Sequence, residues 1–254
     1  MKVTFLGTGT SQGIPVITCN CAVCQSTDHK NKRLRVSVLV EMGDKTIVID
    51  SGPDFRYQML RANVKDLDAI LYTHEHKDHV AGLDDIRPFN YLLKKNIDIY
   101  ATTRVQEALK REFSYIFAEN HYPGLPQIDL HTISDQPFEI GNTRVIPLNI
   151  MHYKLPILGF RIHDFTYITD AKTISEETIA KVKGSRVLVI NALQHEEHIS
   201  HFTLEEAIEF AQKIGAETTY LTHISHNLGL HEEVEKKLPK NIKLAYDGLS
   251  IFCE

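Results

Sequence analysis

The sequence predicts an α/β protein in which strands and helices alternate within one domain. Apolar runs of strand length end at turn residues along the whole chain, for example at residues 2–6 and 68–73. Amphipathic segments of helical length lie between them, such as 203–214, where apolar residues recur on one face. No linker, charge block or low-complexity segment divides the chain. We therefore expect residues 1–254 to form a single domain with two strand-rich halves, each followed by helices.

The first half is predicted to begin with a strand and a hairpin and to continue with alternating helices and strands. Gly43-Asp44 is typical of a hairpin turn between two apolar runs. In chain order, the predicted strands are 2–6, 36–41, 46–50, 68–73 and 97–101, and the predicted helices are 55–62 and 103–118.

The second half repeats this style. Gly141-Asn142 is the turn of another predicted hairpin. The predicted strands are 138–140, 143–150, 158–162, 165–169, 186–190, 218–222 and 249–252, and the predicted helices are 203–214 and 232–238.

Composition and charge restrict the function classes. The formal net charge of −5 gives no sign of a basic nucleic-acid-binding surface, so a nucleic-acid partner is not expected. No run of 18 apolar residues is present, so we expect no membrane span. Residues 1–6 are too short for a signal peptide, which favours a cytoplasmic location. Four cysteines in that compartment fit metal ligands or free thiols better than disulfides.

The most informative motif is His74-x-His76-x-Asp78-His79, directly after the apolar run 68–73. Imidazoles and a carboxylate crowded at one strand end are costly to desolvate, and the imidazoles repel one another once protonated. A divalent cation removes both costs because it takes neutral imidazole nitrogens and an ionised carboxylate as ligands. The motif therefore predicts a metal site.

Further metal-binding side chains follow other predicted strands. His152, Asp170 and His223 each lie at or just beyond a strand end, which is the sheet edge where sites form in α/β proteins. Asp50 also ends a strand. It either caps the helix 55–62 or orients a ligating histidine from a second shell.

This constellation predicts a binuclear site with Asp170 as the bridging ligand. One cation is expected at His74, His76 and His152, and the second at Asp78, His79 and His223. Mixed histidine and carboxylate ligands suit Zn²⁺, Mn²⁺ or Fe²⁺, and spacing does not choose among them.

A second metal site is predicted near the N-terminus. Cys19, Cys21 and Cys24 form a C-x-C-x-x-C pattern that can converge on one Zn²⁺, with His226 expected as the fourth ligand. Inert or redox-active thiols are the alternative. Cys253 stands apart and is expected to be a buried apolar thiol.

Two loops remain open to interpretation. The glycine-rich stretch 7–13 either cradles a phosphate or turns the backbone closely past a site. The segment 119–126 is predicted to be a loop that can cover the site. Its His121 and Tyr122 are candidate substrate contacts, although exposed loop residues are the simpler expectation.

The motif at residues 74–79, together with the later ligands and Asp50, closely resembles the metallo-β-lactamase superfamily of binuclear metallohydrolases. The resemblance covers essentially the whole chain. It implies a four-layer αββα sandwich, in which two mixed sheets are flanked by helices and the metals lie at one edge between the sheets.

A narrower resemblance begins at residues 5–15 and continues through the three cysteines. This start is similar to that of the phosphoribosyl 1,2-cyclic phosphate phosphodiesterases of the carbon–phosphorus lyase pathway. In that family a structural zinc is held by three such cysteines and a histidine three residues after the last active-site histidine, which matches His226 after His223. A further upstream histidine serves the phosphodiester there. His201 occupies that place, with His195 and His198 as nearby alternatives.

The expected function is hydrolysis of a small or cyclic phosphodiester by a hydroxide bridging two divalent cations, Zn²⁺ or Mn²⁺, with one structural Zn²⁺ in the loop at about 8–30. His201 and Asp78 are the expected catalytic residues: His201 would stabilise phosphoryl oxygens or protonate the leaving group, and Asp78 would share the base role. The alternatives are a tRNA 3′-processing-type endonuclease and an oxidoreductase resembling the pyrroloquinoline quinone biosynthesis protein B. An inactive metal-binding scaffold is disfavoured because no ligand is missing. A homodimer is one option for the assembly.

Overall fold

The computed structural model describes residues 1–118 and 124–253. Its framework is two sheets that face each other. The first sheet has the order β15-β1-β2-β3-β4-β5-β6. Its strands are Lys2–Gly7 (β1), Ser37–Met42 (β2), Lys45–Ile49 (β3), Ala69–Leu71 (β4), Ile97–Ala101 (β5), Ile128–Thr132 (β6) and Ser250–Phe252 (β15).

The second sheet has the order β11-β8-β9-β10-β12-β13-β14, with β7 also paired to β8. Its strands are Phe138–Ile140 (β7), Thr143–His152 (β8), Leu155–Ile162 (β9), Phe165–Tyr167 (β10), Thr173–Ile174 (β11), Val187–Asn191 (β12), Thr218–Thr222 (β13) and Ile242–Leu244 (β14). Both sheets are mixed. In the first sheet, β1, β2 and β3 pair antiparallel, whereas β3 to β6 run parallel. In the second sheet, β8 and β9 pair antiparallel, whereas β12 to β14 run parallel.

Eight α-helices lie in the described ranges. They are Ala22–Gln25 (α1), Phe55–Arg61 (α2), Lys77–Val80 (α3), Arg87–Leu93 (α4), Thr103–Glu112 (α5), Glu176–Val182 (α6), Leu204–Ile214 (α7) and His231–Glu235 (α8). None of them is of a length and apolarity that would let it cross a bilayer.

The buried apolar residues show the layer order. One cluster contains side chains from both sheets, including Val38, Phe160 and Val189, and it forms the layer between them. A second joins the first sheet to α2 and α5, and a third joins the second sheet to α6 and α7. The expected four-layer αββα sandwich is therefore confirmed.

Several helices and strands were not predicted from the sequence patterns. Helices α4 and α6 and strands β6, β11 and β14 were not predicted. Helix α4 follows a 3-10 turn at Leu83–Ile86, and its N-cap residue Ile86 makes no side-chain capping bond, so Pro88 in the first turn is the start signal that remains. The helix predicted over 103–118 ends at Glu112, before an aromatic stretch of lower helix propensity. His121 and Tyr122 lie outside the described residues.

The glycine-rich loop turns closely past neighbouring backbone. A β-carbon on Gly7 would lie 1.9 Å from the Arg35 carbonyl oxygen, so only glycine fits there. The amide of Gly9 donates to the Leu34 carbonyl at 2.8 Å, and that of Thr10 donates to the Ile224 carbonyl at 3.1 Å. Since these amides already have protein partners, the structure favours the close-approach interpretation over a phosphate cradle.

A buried polar network fastens this loop to the C-terminal elements. The Arg33 guanidinium donates to Thr8 Oγ1 at 2.7 Å, to the Ala245 carbonyl at 2.6 Å and to His231 Nδ1 at 3.0 Å. His231 Nε2 in turn donates to Glu235 at 3.1 Å. Burial and the Arg33 cation lower the pKa of His231 to about 4, while Glu235 opposes them. His231 is therefore neutral at pH 7.

Candidate metal centres

The first group of ligand atoms lies at the ends of β4 and β8. His74 and His76 follow β4, and His152 is the last residue of β8. His74 Nε2 and His76 Nδ1 are 3.0 Å apart, and one nitrogen from each of the three imidazoles lies within 4.8 Å of the others. These residues match the first predicted cation site.

The second group is formed by Asp78, His79 and His223. Helix α3 carries Asp78 and His79, and His223 follows β13. His79 Nε2 lies 3.2 Å from Asp78 Oδ2, and His223 Nε2 lies 3.9 Å from the same oxygen. The second predicted ligand set is thus brought together around a common space.

Asp170 lies between the two groups. Its Oδ2 is 3.3 Å from His79 Nε2, and its Oδ1 is 3.2 Å from His223 Nε2. It also forms a compact triad with His74 and His79. Asp170 therefore has ligand atoms of both groups within 4.8 Å.

Three residues of the centre have left-handed backbone conformations that cost energy for any residue with a β-carbon. The φ angles are 63° for Asp50, 56° for Asp170 and 54° for His223. Such strain persists where the surroundings hold a residue in place, and it concentrates at functional sites.

Asp50 orients His79 and does not cap α2. Its carboxylate accepts hydrogen bonds from His79 Nδ1 at 2.7 Å, from the Thr73 amide at 2.9 Å and from the Thr73 hydroxyl at 2.8 Å. The N-cap residue of α2 is Asp54, whose side chain makes no capping bond. Because Nδ1 of His79 is engaged by Asp50, Nε2 is the nitrogen directed into the centre.

Backbone carbonyls orient His152 in the same manner. Its Nδ1 lies 2.9 Å from the carbonyl oxygen of Asp170 and 2.9 Å from that of Ser200. The Thr73 hydroxyl lies 3.0 Å from His74 Nδ1. These contacts fix the rings and leave the opposite nitrogen of each available to a cation.

The electrostatics of the centre require a positive charge. Burial lowers the pKa of His79, but the carboxylates of Asp78, Asp170 and Asp50 raise it more, to well above its usual range. Burial raises the pKa values of Asp78 and Asp170, but neighbouring imidazoles hold both well below their usual range. Buried carboxylates held ionised in this way need cationic partners.

Several buried ring nitrogens of the centre lack hydrogen-bond partners, as expected for ligands of a cation. His79 Nε2, His201 Nδ1 and both ring nitrogens of His223 are buried and have no hydrogen-bond partner among the described residues. An unpartnered buried nitrogen costs free energy, whereas a cation at the centre would use it as a ligand. The residues present therefore fit divalent cations.

His201 lies beside this centre but is uncharged. Its Nδ1 is 3.7 Å from Asp170 Oδ1, and its ring centroid is 4.7 Å from that of His152 and 4.7 Å from that of His223. Burial and the neighbouring His223 lower the pKa of His201 to about 2, with Asp170 opposing. In the absence of substrate His201 is therefore a neutral imidazole.

The two alternative histidines are less well placed. His195 is exposed, and its Nδ1 pairs with Glu205 at 3.2 Å. His198 lies behind His201, with 5.0 Å between the ring centroids, and its Nδ1 lies 3.2 Å from the Ser200 hydroxyl. Of the three, His201 is the one in contact with the proposed ligands.

The cysteine site also converges as predicted. His226 Nδ1 lies 3.3 Å from Cys19 Sγ, 3.4 Å from Cys21 Sγ and 3.7 Å from Cys24 Sγ. A tetrahedral zinc with ordinary Zn–S and Zn–N bonds would separate a sulfur from a nitrogen by about 3.5 Å. The three sulfur–nitrogen distances are close to this value, and all four ligand atoms lie within 4.8 Å of one another.

Electrostatics differ among these thiols. The backbone amide of Cys24 and the His226 ring lower the pKa of Cys21 to about 6. Burial raises the pKa of Cys24 to about 11. Only a bound cation would make the buried Cys24 thiolate favourable at neutral pH.

Sequence reasoning missed three supporting residues. Thr73 bonds Asp50 as described above. Asn191 binds both backbone groups of Ala171, accepting at 2.7 Å and donating at 3.0 Å, and so fixes the residue after Asp170. Gly52 lies so close to Asp78 that a β-carbon would approach its carbonyl oxygen to 2.0 Å. Asn191 ends a strand as the ligands do, and this position is the signal that could have identified it.

A comparison with protein-family models matches residues 45–224 to the Beta-lactamase superfamily domain. That range covers most of the chain and includes all seven ligands of the active-site groups, whereas the four ligands of the cysteine site lie outside it. The chain belongs to the metallo-β-lactamase superfamily of hydrolases.

Solved structures extend this assignment. The structure called a new diphosphatase from the PhnP family is 39% identical, has a TM-score of 0.93, and is matched over 100% of this chain and 98% of its own. It supports the narrower subfamily resemblance drawn from the N-terminal residues. Zn²⁺-bound PqqB from Methylobacterium extorquens is 17% identical with a TM-score of 0.82, over 100% of both chains, and shows a shared fold.

A longer relative carries a different name. A protein of Porphyromonas gingivalis (strain ATCC BAA-308 / W83) called octanoyltransferase is 43% identical over 257 residues. The match covers 100% of this chain but 52% of that protein. This chain therefore spans about half the length of that relative.

Proposed function

We propose that the protein is a binuclear metal-dependent phosphodiesterase. The observation that carries this proposal is the position of Asp170, whose two oxygens contact imidazoles at the point where two ligand groups meet. One cation would be held by His74, His76 and His152, and the other by Asp78, His79 and His223, with Asp170 between them. Two-metal sites of this type are suited to displacement at phosphorus.

The proposed chemistry divides between the metals and the chain. When bound, two divalent cations supply hydroxide at neutral pH and neutralise negative charge on phosphoryl oxygens. Asp50 and the carbonyls of Asp170 and Ser200 hold the ligating rings in fixed orientations. Burial of His74, His79 and His223 strengthens these interactions on the inner side of the centre.

His201 is proposed to act on the leaving oxygen. Because its pKa is depressed to about 2, the free ring is neutral and donates only a hydrogen bond through its N–H group. The negative charge of a bound phosphodiester would raise this pKa, so the ring would take up a proton from solvent and pass it to the leaving oxygen as the P–O bond breaks. Asp78 is proposed to assist the base side, because its carboxylate lies between His79 and His223.

The cysteine site is proposed to hold a structural zinc. Four protein ligands leave no open position for substrate. The loop that carries the cysteines also binds the strand end at His223, since the Ile224 amide donates to the Thr8 carbonyl at 2.9 Å. We infer that this zinc stabilises the loop at about 8–30 against the edge of the active site.

Hydrolysis of a diphosphate bridge is the second candidate. It is favoured by the name of the diphosphatase of the PhnP family, which is 39% identical to this chain. Both reactions require attack at phosphorus and the same charge stabilisation, so the metal centre serves either one.

The remaining candidate functions are less well supported. The net charge of −5 disfavours a large RNA footprint, which argues against a tRNA endonuclease. The likeness to PqqB shows the fold alone. Octanoyl transfer is not proposed, because about half of the protein with that name lies outside the match.

A parallel assay tests these candidates. Metal-loaded protein is offered bis-p-nitrophenyl phosphate, a ribose cyclic phosphate, a disubstituted diphosphate and a pre-tRNA. We expect turnover of one of the first three, abolished in Asp170→Asn and retained in His29→Ala, whose side chain is 75% exposed and belongs to neither ligand set. Cleavage of the pre-tRNA alone, or no turnover at all, would contradict the proposal.

A further inference from the structure

An open pocket of about 420 Å³ adjoins the metal centre. His76 and His152 form the wall shared with the centre. The remaining wall consists largely of Tyr153, Leu155 and Ile199. The volume is in the range of small-molecule sites, and a group bound there would be continuous with a phosphate held at the metals.

The tip of the β8–β9 hairpin builds one side of this pocket. His152 pairs with Leu155, so Tyr153 and Lys154 form a two-residue turn directly after a ligand. Tyr153 has a φ of 54°, in the left-handed region. Asparagine and glycine are the residues that two-residue hairpins favour at such positions, and an aromatic residue there is strained.

Tyrosine therefore does not stabilise this turn. An unfavourable conformation at the rim of an active site indicates that the side chain is used for something else. The Lys154 ammonium lies 5.2 Å from the centroid of the Tyr153 ring, so the hairpin tip presents an aromatic face together with a cation.

The apolar surface at this rim is incompletely covered. Tyr153 is 48% exposed and Ile199 is 64% exposed, although both line a pocket that reaches the buried His152. Tyr153 follows β8, whereas Ile199 belongs to the loop between β12 and α7, so the two side chains come from separate segments. A flat group between them would cover apolar surface on both sides.

We propose that Tyr153, Leu155 and Ile199 form a subsite for a ring carried by the organic arm of the substrate. The subsite rests on the proposed function only in that the phosphate of the same molecule lies at the metal centre. The substrate class is then a phosphate ester with a nucleoside-like arm. A bare or methyl-substituted phosphate lacks the group that this surface recognises. Tyr153 is the specificity-determining residue.

Binding measurements test the subsite without requiring turnover. Isothermal titration of the metal-loaded protein with adenosine 5′-monophosphate and with inorganic phosphate compares a ligand that has the ring with one that lacks it. The wild type should bind the nucleotide at least tenfold more tightly than phosphate. Tyr153→Ala should weaken nucleotide binding about tenfold, as expected for loss of a stacking aromatic, and should leave phosphate binding unchanged.

Two further variants separate the ring from the turn. Tyr153→Asn suits the left-handed conformation, so it keeps the hairpin while it removes the ring. It should weaken nucleotide binding as Tyr153→Ala does. Tyr57→Ala is the matched control, because Tyr57 is 57% exposed on α2 and has the Arg61 guanidinium 5.9 Å from its ring centroid. It should change neither affinity.

Three results would overturn the subsite: equal wild-type affinities for the two ligands, unchanged nucleotide binding in both Tyr153 variants, or parallel loss of nucleotide and phosphate binding. Turnover of bis-p-nitrophenyl phosphate is measured separately on the same proteins. Nucleotide binding that depends on Tyr153 without any turnover would contradict the proposed reaction and retain the subsite. Turnover together with nucleotide binding that does not depend on Tyr153 would support the proposed reaction and contradict the subsite.

Discussion

Replacement of Asp50 is predicted to weaken metal binding without touching a ligand. The Asp50 carboxylate is fully buried and accepts three hydrogen bonds, of which the one from His79 Nδ1 is the shortest at 2.7 Å. In Asp50→Asn, the amide keeps the shape but loses the negative charge. When its NH₂ group faces His79, two donors meet and the ring must change its tautomer or its orientation.

The expected magnitude follows from the role of this contact. Changing the carboxylate that supports a ligating histidine typically lowers metal affinity about 10- to 100-fold, which corresponds to roughly 1.4–2.7 kcal/mol. We expect a loss in this range for the cation held by His79 and a smaller loss for the cation at His74, His76 and His152. Turnover at limiting metal should fall in parallel and recover in part at high metal concentration.

Chelator competition measures this affinity directly. Thr73→Val removes one hydroxyl donor to Asp50 and should have a smaller effect of the same sign. Asp44→Asn, at a turn where the side chain is 90% exposed, is the control and should bind metal as the wild type does. Unchanged affinity in Asp50→Asn, with the fold intact, would refute the orienting role of Asp50.

Three other variants test separate parts of the account. The folded pKa of His231 is about 4 and the unfolded value about 6.5, so the unfolded chain binds the proton more readily between these values. Stability present above pH 6.5 is therefore lost as pH falls through 4. His231→Gln should remove about 2 kcal/mol of the loss between pH 7 and pH 4.5, measured by denaturation series at both pH values. Cys24→Ser should lower zinc content by about one per chain and lower the Tm, measured by elemental analysis and calorimetry, because a buried ligand is lost. His201→Ala should lower kcat for bis-p-nitrophenyl phosphate about 100-fold or more with full metal content, since a proton donor is removed.

Each of these has a specific contradictory outcome. An unchanged pH dependence in His231→Gln would mean that the Arg33 network does not disfavour protonation. Cys253→Ser is the matched control for Cys24, because Cys253 is buried and lies outside the metal clusters found among the described residues. Equal effects of the two serine variants would argue against the zinc site. Surviving turnover in His201→Ala would remove this residue from the mechanism.

The metal centre was predictable because its chemistry is concentrated at strand ends. His74, His152 and His223 follow apolar runs whose burial fixes the strand, so the sequence pattern also fixed the edge at which they meet. The spacing of Cys19, Cys21 and Cys24 limited their geometry in the same local way. Residues 74–79 and 19–24 each supply several ligands from one short segment, and the strand-end rule identified the single ligands that the distant strands supply.

The rest depends on contacts between distant segments. Asn191 and Thr73 are ordinary polar residues in strand-like sequence, and only the folded chain shows which backbone groups and carboxylates they bind. The strained conformation of Tyr153 was not predicted either, because a pattern of apolar and polar residues does not determine the φ angle of one turn residue. Helix α4 has Pro88 in its first turn but no capping side chain, and it forms through its packing on the first sheet layer.

The occupancy of the two proposed cation positions is the most direct test of the account. Anomalous diffraction from crystals of the metal-loaded protein would locate each ion, and elemental analysis would count them. The account predicts two active-site cations, one at His74, His76 and His152 and the other at Asp78, His79 and His223, with Asp170 contacting both, and a separate zinc at the cysteines. A single active-site cation, or two that share no contact with Asp170, would contradict it.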